Sequence, residues 1–222
     1  MTLRKQDNQL MRFVSLMLVL LLSQPTTLPL LAQASGGALN ATISTVAGGG
    51  LAATLPARQA PLMNPSAVVP DPRGRGFYVL DGGTSLSDVP PYGFMVRFAN
   101  TSAQTVTLGT LSIEAGSIGR IAGGGSAEGD DLPASTVVMD NVPAIAADPG
   151  GDVLYVLTPL RNSVRAVNVG TQNVTVAGKT IAPGAITTIA TSDTLTGARG
   201  LAIHPTTREI YYIGGQAGSN IV

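Results

Sequence analysis

The groups able to do chemistry in this 222-residue chain are few, and their spacing limits what that chemistry could be. Glu128, Asp130 and Asp131 fall together in GGGSAEGDDLPAS (123–135). Hard carboxylate oxygens at that density suit Ca2+, so these three are the candidate metal ligands. Their spacing matches no calcium loop, and the corresponding loops at 48–60 and 191–199 do not repeat it. A solvated polar loop is therefore the favoured reading, and no cofactor is expected. The single histidine, His204, directly precedes Pro205, where a turn role explains it. A catalytic metal centre needs several converging His or carboxylate ligands, which one histidine does not supply. Gly116-Ser117-Ile118-Gly119 lacks the first glycine of a nucleophile elbow and lies at a strand start. The glycine triplets at 48–50 and 123–125 follow strands but open no helices, so they are not phosphate cradles. No catalytic or cofactor-binding residue is assigned.

The elements that carry these groups are copies of one unit. VRFANTSAQTVTLGTLSIEAGSIGRIA (96–122) aligns without a gap on VRAVNVGTQNVTVAGKTIAPGAITTIA (164–190), with identities that include Arg97/Arg165 and Asn100/Asn168. A second anchor is a proline followed six positions later by a tyrosine: Pro72/Tyr78, Pro149/Tyr155 and Pro205/Tyr211. A third is ISTVAGGG (43–50), which matches IGRIAGGG (118–125) and ITTIATSD (186–193). Recurrence of this kind means stacked supersecondary units that bury their apolar faces against one another. The segments around the anchors are short runs of Val, Ile, Leu and Tyr bounded by Gly, Pro, Asn and Asp, which is strand composition. VTLGTLSI and VTVAGKTI each read as a small protruding hairpin. LPASTVVMD (132–140) has room for one short helical turn. Four sheet strands plus this excursion, repeated, predict an all-β fold of propeller-type four-stranded antiparallel blades.

The order strand, Asp-Pro, turn, Tyr-Val, then Asn-x-Val-Arg and finally Ile-x-x-Ile-Ala-Gly-Gly-Gly resembles the NHL-repeat β-propeller family, in its long-bladed secreted bacterial form. The resemblance covers roughly 43–222, divided into units at about 43–122, 123–190 and 191–222. It departs from the family where an Asp often follows the Tyr strand. Asp81 keeps that residue, whereas Leu157-Thr158 and Ile213-Gly214 replace it. Propellers of this kind host both binding scaffolds and lactonase or lyase enzymes. Closed propellers have about four to eight blades, and this chain supplies about two and a half. It also opens on the last strand of a unit and stops at SNIV (219–222), where a third strand is due. The expectation is the N-terminal part of a longer propeller, with further blades supplied by a longer chain or by an oligomer.

Residues 1–34 read as a signal peptide. Arg4, Lys5 and Arg12 precede the apolar run FVSLMLVLLL (13–22), and Ala32-Gln33-Ala34 offers the small residues of a cleavage site. The run is too short to span a bilayer, so 35–222 is expected outside the cytoplasm as a secreted, periplasmic or cell-surface domain with no stable membrane span. There is no cysteine for disulfides or lipid attachment. Asn40, Asn100 and Asn173 lie in glycosylation sequons, relevant only to a eukaryotic host. The chain has 13 basic and 13 acidic residues, and without the leader's Arg4, Lys5, Arg12 and Asp7 it becomes slightly acidic. A nucleic acid partner is thereby disfavoured. Arg97 and Arg165 are expected to cover apolar surface or to pair with carboxylates. With these exclusions, the expected function is non-enzymatic binding of a protein, peptide or glycan. The alternative is a propeller enzyme whose metal ligands lie in blades beyond this sequence.

Overall fold

In the computed structural model, residues 54–82 and 92–214 are described. The first sheet is built from β1 (Thr54–Pro56), β2 (Pro65–Pro70), β3 (Gly76–Gly82), β4 (Tyr92–Asn100) and β7 (Ser117–Gly124). Between β4 and β7 stands a separate hairpin of β5 (Val106–Leu108) and β6 (Leu111–Ile113). The second sheet repeats the plan with β8 (Leu132–Pro133), β9 (Ala144–Ala147), β10 (Val153–Thr158), β11 (Ser163–Asn168) and β14 (Ala185–Thr191). Its hairpin comprises β12 (Val174–Val176) and β13 (Lys179–Ile181). A third sheet begins with β15 (Ala198–Ile203) and β16 (Ile210–Gly214). All pairing between these strands is antiparallel, in the orders β1-β7-β4-β3-β2 and β8-β14-β11-β10-β9. Among the described residues there is no α-helix, only four single 3-10 turns. The fold is thus the expected all-β, propeller-type repeat. No helix among those residues is long and apolar enough to cross a membrane.

Strands β2, β9 and β15 pack side by side, so each sheet offers a face to its neighbour. This explains why β10, VLYVLT, is apolar without alternation. Leu154 and Val156 enter the core shared with the first sheet, whereas Tyr155 and Leu157 enter the core shared with the third. A strand buried on both faces has no polar side to show. Among the described residues β2 faces a neighbouring sheet on one side only, and it alternates accordingly, leaving Val68 exposed. Fully burying a side chain such as Leu154 or Phe98 contributes about 1.5–3 kcal/mol, so the seams between sheets hold the array together.

Two features exceed the sequence expectation. Each of the first two units has a short fifth strand, β1 or β8, which pairs outside the last long strand and leads into a 3-10 turn at Ala57–Gln59 or Ala134–Thr136. The turn lies inside 132–140, where one was allowed for. The fifth strand was legible too, because Leu55-Pro56-Ala57 and Leu132-Pro133-Ala134 stand in one ungapped register that runs on to Leu80 and Leu157. The second feature is the reach of the β5–β6 hairpin. Its tip crosses to the second sheet, where Gly109 N donates to Val169 O at 2.9 Å. Gly109 has φ +58°, and a Cβ there would lie 2.6 Å from the Gly184 backbone. The segment 43–50, expected to complete another unit, lies outside the described residues.

Candidate binding site

The two repeat arginines sit beside matching backbone irregularities. Register shifts occur between Val96 and Arg97 where β4 meets β7, and between Val164 and Arg165 where β11 meets β14. In each case one residue of the outer strand, Ile121 or Ile189, is left over opposite the arginine, a β-bulge that re-aims the neighbouring side chain. Both arginines are buried, and each pairs with a carboxylate, but from different sources. Arg97 Nη1 lies 3.8 Å from Asp81 Oδ2, on the adjacent strand β3, and also donates to Pro61 O. The second sheet has Thr158 at the position of Asp81, and its hydroxyl is hydrogen-bonded to Ser163 instead. Arg165 therefore takes its carboxylate from the loop between the sheets. Its Nη2 donates to Gly129 O and lies 3.3 Å from Asp130 Oδ1.

That loop is pinned across β14. Asp130 Oδ1 accepts from the backbone N and the hydroxyl of Thr188, each at 2.9 Å, and Asp131 accepts from the Thr187 hydroxyl. Burial alone would raise the Asp130 carboxyl, but the Thr188 donors and Arg165 outweigh it and hold it below the usual carboxylate range. Glu128 points elsewhere, to Arg161 at 3.2 Å, which also meets Asp140 at 3.3 Å. Each of the three carboxylates thus answers a protein donor. Among the described residues no group of three His, Cys, Asp or Glu is placed to hold a metal ion. Nor is the loop merely solvated, since two of its carboxylates fasten it to the sheet.

Under this loop lies a groove of about 220 Å³, lined by Gly129, Asp130, Arg161, Ser163, Arg165, Thr188 and Thr191. Arg165 is only 4% exposed, and its Nε finds no hydrogen-bond partner. Burial lowers the basicity of this guanidinium, and Asp130 offsets that only in part. The groove therefore lies against a buried guanidinium, with the Ser163 and Thr188 hydroxyls of its wall bonded to Thr158 and Asp130. A larger depression of about 410 Å³ runs along Ser102–Thr107 beside Arg75, but Arg75 is already held by Asp71 through Nε at 2.7 Å.

The other residues singled out by the repeat are structural. Asn100 donates to Gln104 O and Ile113 O, and Asn168 to Gln172 O and Ile181 O, so each fastens a protruding hairpin to its own sheet. Asn100 is 1% exposed and its amide is used, which removes it as a glycan acceptor in the folded chain, whereas Asn173 is exposed. Tyr78 packs edge-on against Phe98, and Tyr155 joins the core between the second and third sheets. Tyr211 lies at the edge of the third sheet, where its hydroxyl donates to Glu209. Pro72, Pro149 and Pro205 begin the turns whose preceding residues accept local backbone donors. Asp71 accepts from Arg75 N, Asp148 from Gly150 N, and His204 Nδ1 from Thr206 N and Thr207 N. Those turns also touch between sheets through Arg73–Asp152 at 2.7 Å and Arg208–Asp148 at 3.6 Å.

Compared with known proteins, the chain matches no family model and no curated protein. Among solved structures it is similar to the hydrazine synthase of Kuenenia stuttgartiensis, at 13% sequence identity and a TM-score of 0.41, over 72% of this chain and 45% of that one. The chain thus spans less than half the length of that protein's chain.

Proposed function

We propose that the chain is an exported, non-enzymatic binding scaffold built on NHL-like propeller blades, which holds a protein, peptide or glycan outside the cytoplasm. The observation that carries this reading is the groove at Arg165. It sets a buried guanidinium and hydroxyl-bearing side chains beneath a loop pinned to the sheet, which suits holding a polar group. The remaining buried polar side chains on the repeat anchors spend their hydrogen bonds on turns and hairpins. The leader at 1–34 supports export, and the Pro…Tyr and Asn-x-Val-Arg anchors support the NHL-like assignment of the blades.

Two measurements test it. N-terminal sequencing of the secreted form should begin near Ser35, and an intact Met1 would overturn the export reading. The exported protein, screened on peptide and glycan arrays, should bind a ligand saturably and release it unchanged. Turnover of lactone or uronate substrates above buffer would instead assign the chain to the propeller enzymes.

A further inference from the structure

We propose that His204 is a pH-sensitive latch: while neutral it closes the turn that carries Arg208 to the second sheet, and on taking up a proton it releases that turn. The three equivalent turns provide the comparison. A carboxylate heads each of the first two, Asp71 accepting from Arg75 N and Asp148 from Gly150 N. Their left-handed residue is a glycine, Gly74 at φ +69° or Gly151 at φ +74°, whose N–H bonds back to Asp71 O or Asp148 O. The third turn, Pro205-Thr206-Thr207-Arg208, has no glycine. Thr207 stands in the glycine's place, and the closing bond comes one residue later, from Arg208 N to His204 O at 3.0 Å. Arg208 then takes the left-handed conformation, at φ +62°. A residue with a Cβ adopts that region at a cost, so this turn leans harder on its side-chain acceptor than the other two do.

That acceptor is of a kind that titrates near neutrality. Nδ1 of His204 accepts from Thr206 N at 3.2 Å and from Thr207 N at 3.0 Å, through the lone pair that a proton would occupy. A carboxylate in this place keeps its lone pairs free down to about pH 4, whereas an imidazole gains its proton between about pH 5 and 8. The proton goes to the bare nitrogen, and the new N–H would face two N–H donors. Around the ring stand Arg208 and Glu209 on its own turn, and Tyr211 on β16 with ring centroids 6.5 Å apart. From the second sheet comes Asp148, which Arg208 Nε meets at 3.6 Å. The Thr207 and Tyr211 hydroxyls hold the Glu209 carboxyl below its ordinary value, and a charged His204 adds to this. Glu209 thus favours the imidazolium and can accept from it, which the two turn amides cannot do. The closed turn excludes the proton, so its stability is whole above the histidine range and is lost as pH falls through it. Arg208 moves with the turn, and its contact with Asp148 across the seam goes with it.

The test follows the full chain, 15N-labelled, by NMR from about pH 7.5 to about pH 5.5, the interval that brackets histidine protonation. At the upper pH, long-range 1H–15N spectra of the ring should show Nδ1 as the bare nitrogen. An open turn whose histidine titrates at about 6.5, set against a closed turn that refuses the proton, predicts a rise of about tenfold in the ratio of open to closed over this interval. The ratio is read from the heteronuclear NOE of Thr207 and Arg208 and from amide exchange corrected for its intrinsic pH dependence. His204→Asp installs the acceptor of the other two turns, and His204→Asn an acceptor that does not titrate; each should hold the ratio constant to within about twofold. An Nδ1–H tautomer at the upper pH, a constant ratio in the wild type, or the wild-type rise repeated in both variants would each overturn the proposal.

Discussion

Asn168 offers the sharpest test of how the repeat is held. Its side chain is fully buried, donates to Gln172 O and Ile181 O at 2.8 Å each, and accepts from Gly170 N at 2.9 Å. In Asn168→Ala the Gln172 carbonyl, on an exposed residue, can turn to water, and Gly170 N keeps Asp152 O as an acceptor at 3.1 Å, but Ile181 O belongs to a buried residue. A buried group left unsatisfied costs about 1–3 kcal/mol, so a loss of that size is expected. For a domain of this size that is a fall of about 6–12 °C in Tm for 3 kcal/mol, read by differential scanning calorimetry. Asn168→Asp sharpens the argument. The introduced carboxyl faces two carbonyl oxygens in a buried site, so its folded pKa is raised above the unfolded value of about 3.9. Such a group contributes most below the unfolded pKa and loses that contribution as pH rises through the folded one. At pH 7 the Asp variant should therefore be less stable than the Ala variant, and the gap should narrow by pH 4. A Tm fall under about 2 °C in Asn168→Ala, or an Asp variant no worse at pH 7 than at pH 4, would refute the assignment of Asn168 as the clasp of its hairpin.

Two further predictions concern the hairpin tips and the turns. Gly109→Val places a side chain against the Gly184 backbone and should lower the urea midpoint by an amount worth about 2–4 kcal/mol. Gly178→Ala, also at positive φ but with nothing within 4 Å, should cost only about 1–2 kcal/mol, and equal losses would dismiss the docking of the first tip. At Asp71, burial pushes the carboxyl up, but the side-chain and backbone donors of Arg75 outweigh it and hold the pKa below its ordinary value. Its contribution is then present above about pH 4 and lost as pH falls further, so the urea midpoint of the wild type should drop more between pH 5 and 2.5 than that of Asp71→Asn; parallel slopes would disprove the coupling.

The parts of the fold that recur were legible because strands and turns leave local marks. Tyr78 and Tyr155 fill the same place in successive sheets, and the Asp-Pro pairs stand where a strand ends and a turn begins. The site was less legible, for two reasons. Nothing local tells that Arg165 must borrow Asp130 from a loop 35 residues away, since that pairing depends on how two sheets meet. The replacement of Asp81 by Thr158 was visible, but its meaning depends on the bulge that turns each arginine toward that spot. The acidic loop shows the converse: a cluster of carboxylates in sequence dispersed onto separate partners once Thr187, Thr188 and Arg161 were in place.

The crossing of the β5–β6 tip also bears on how such a chain can change over generations. A finger that must land on the adjoining sheet has a prescribed span, and the two fingers, Val106–Ile113 and Val174–Ile181, are indeed the same length. The link between β3 and β4 is longer than its counterpart between β10 and β11. Duplication followed by drift is thereby channelled: added residues accumulate in the connections, while the β5–β6 finger keeps its measure because it is gauged against the adjoining sheet.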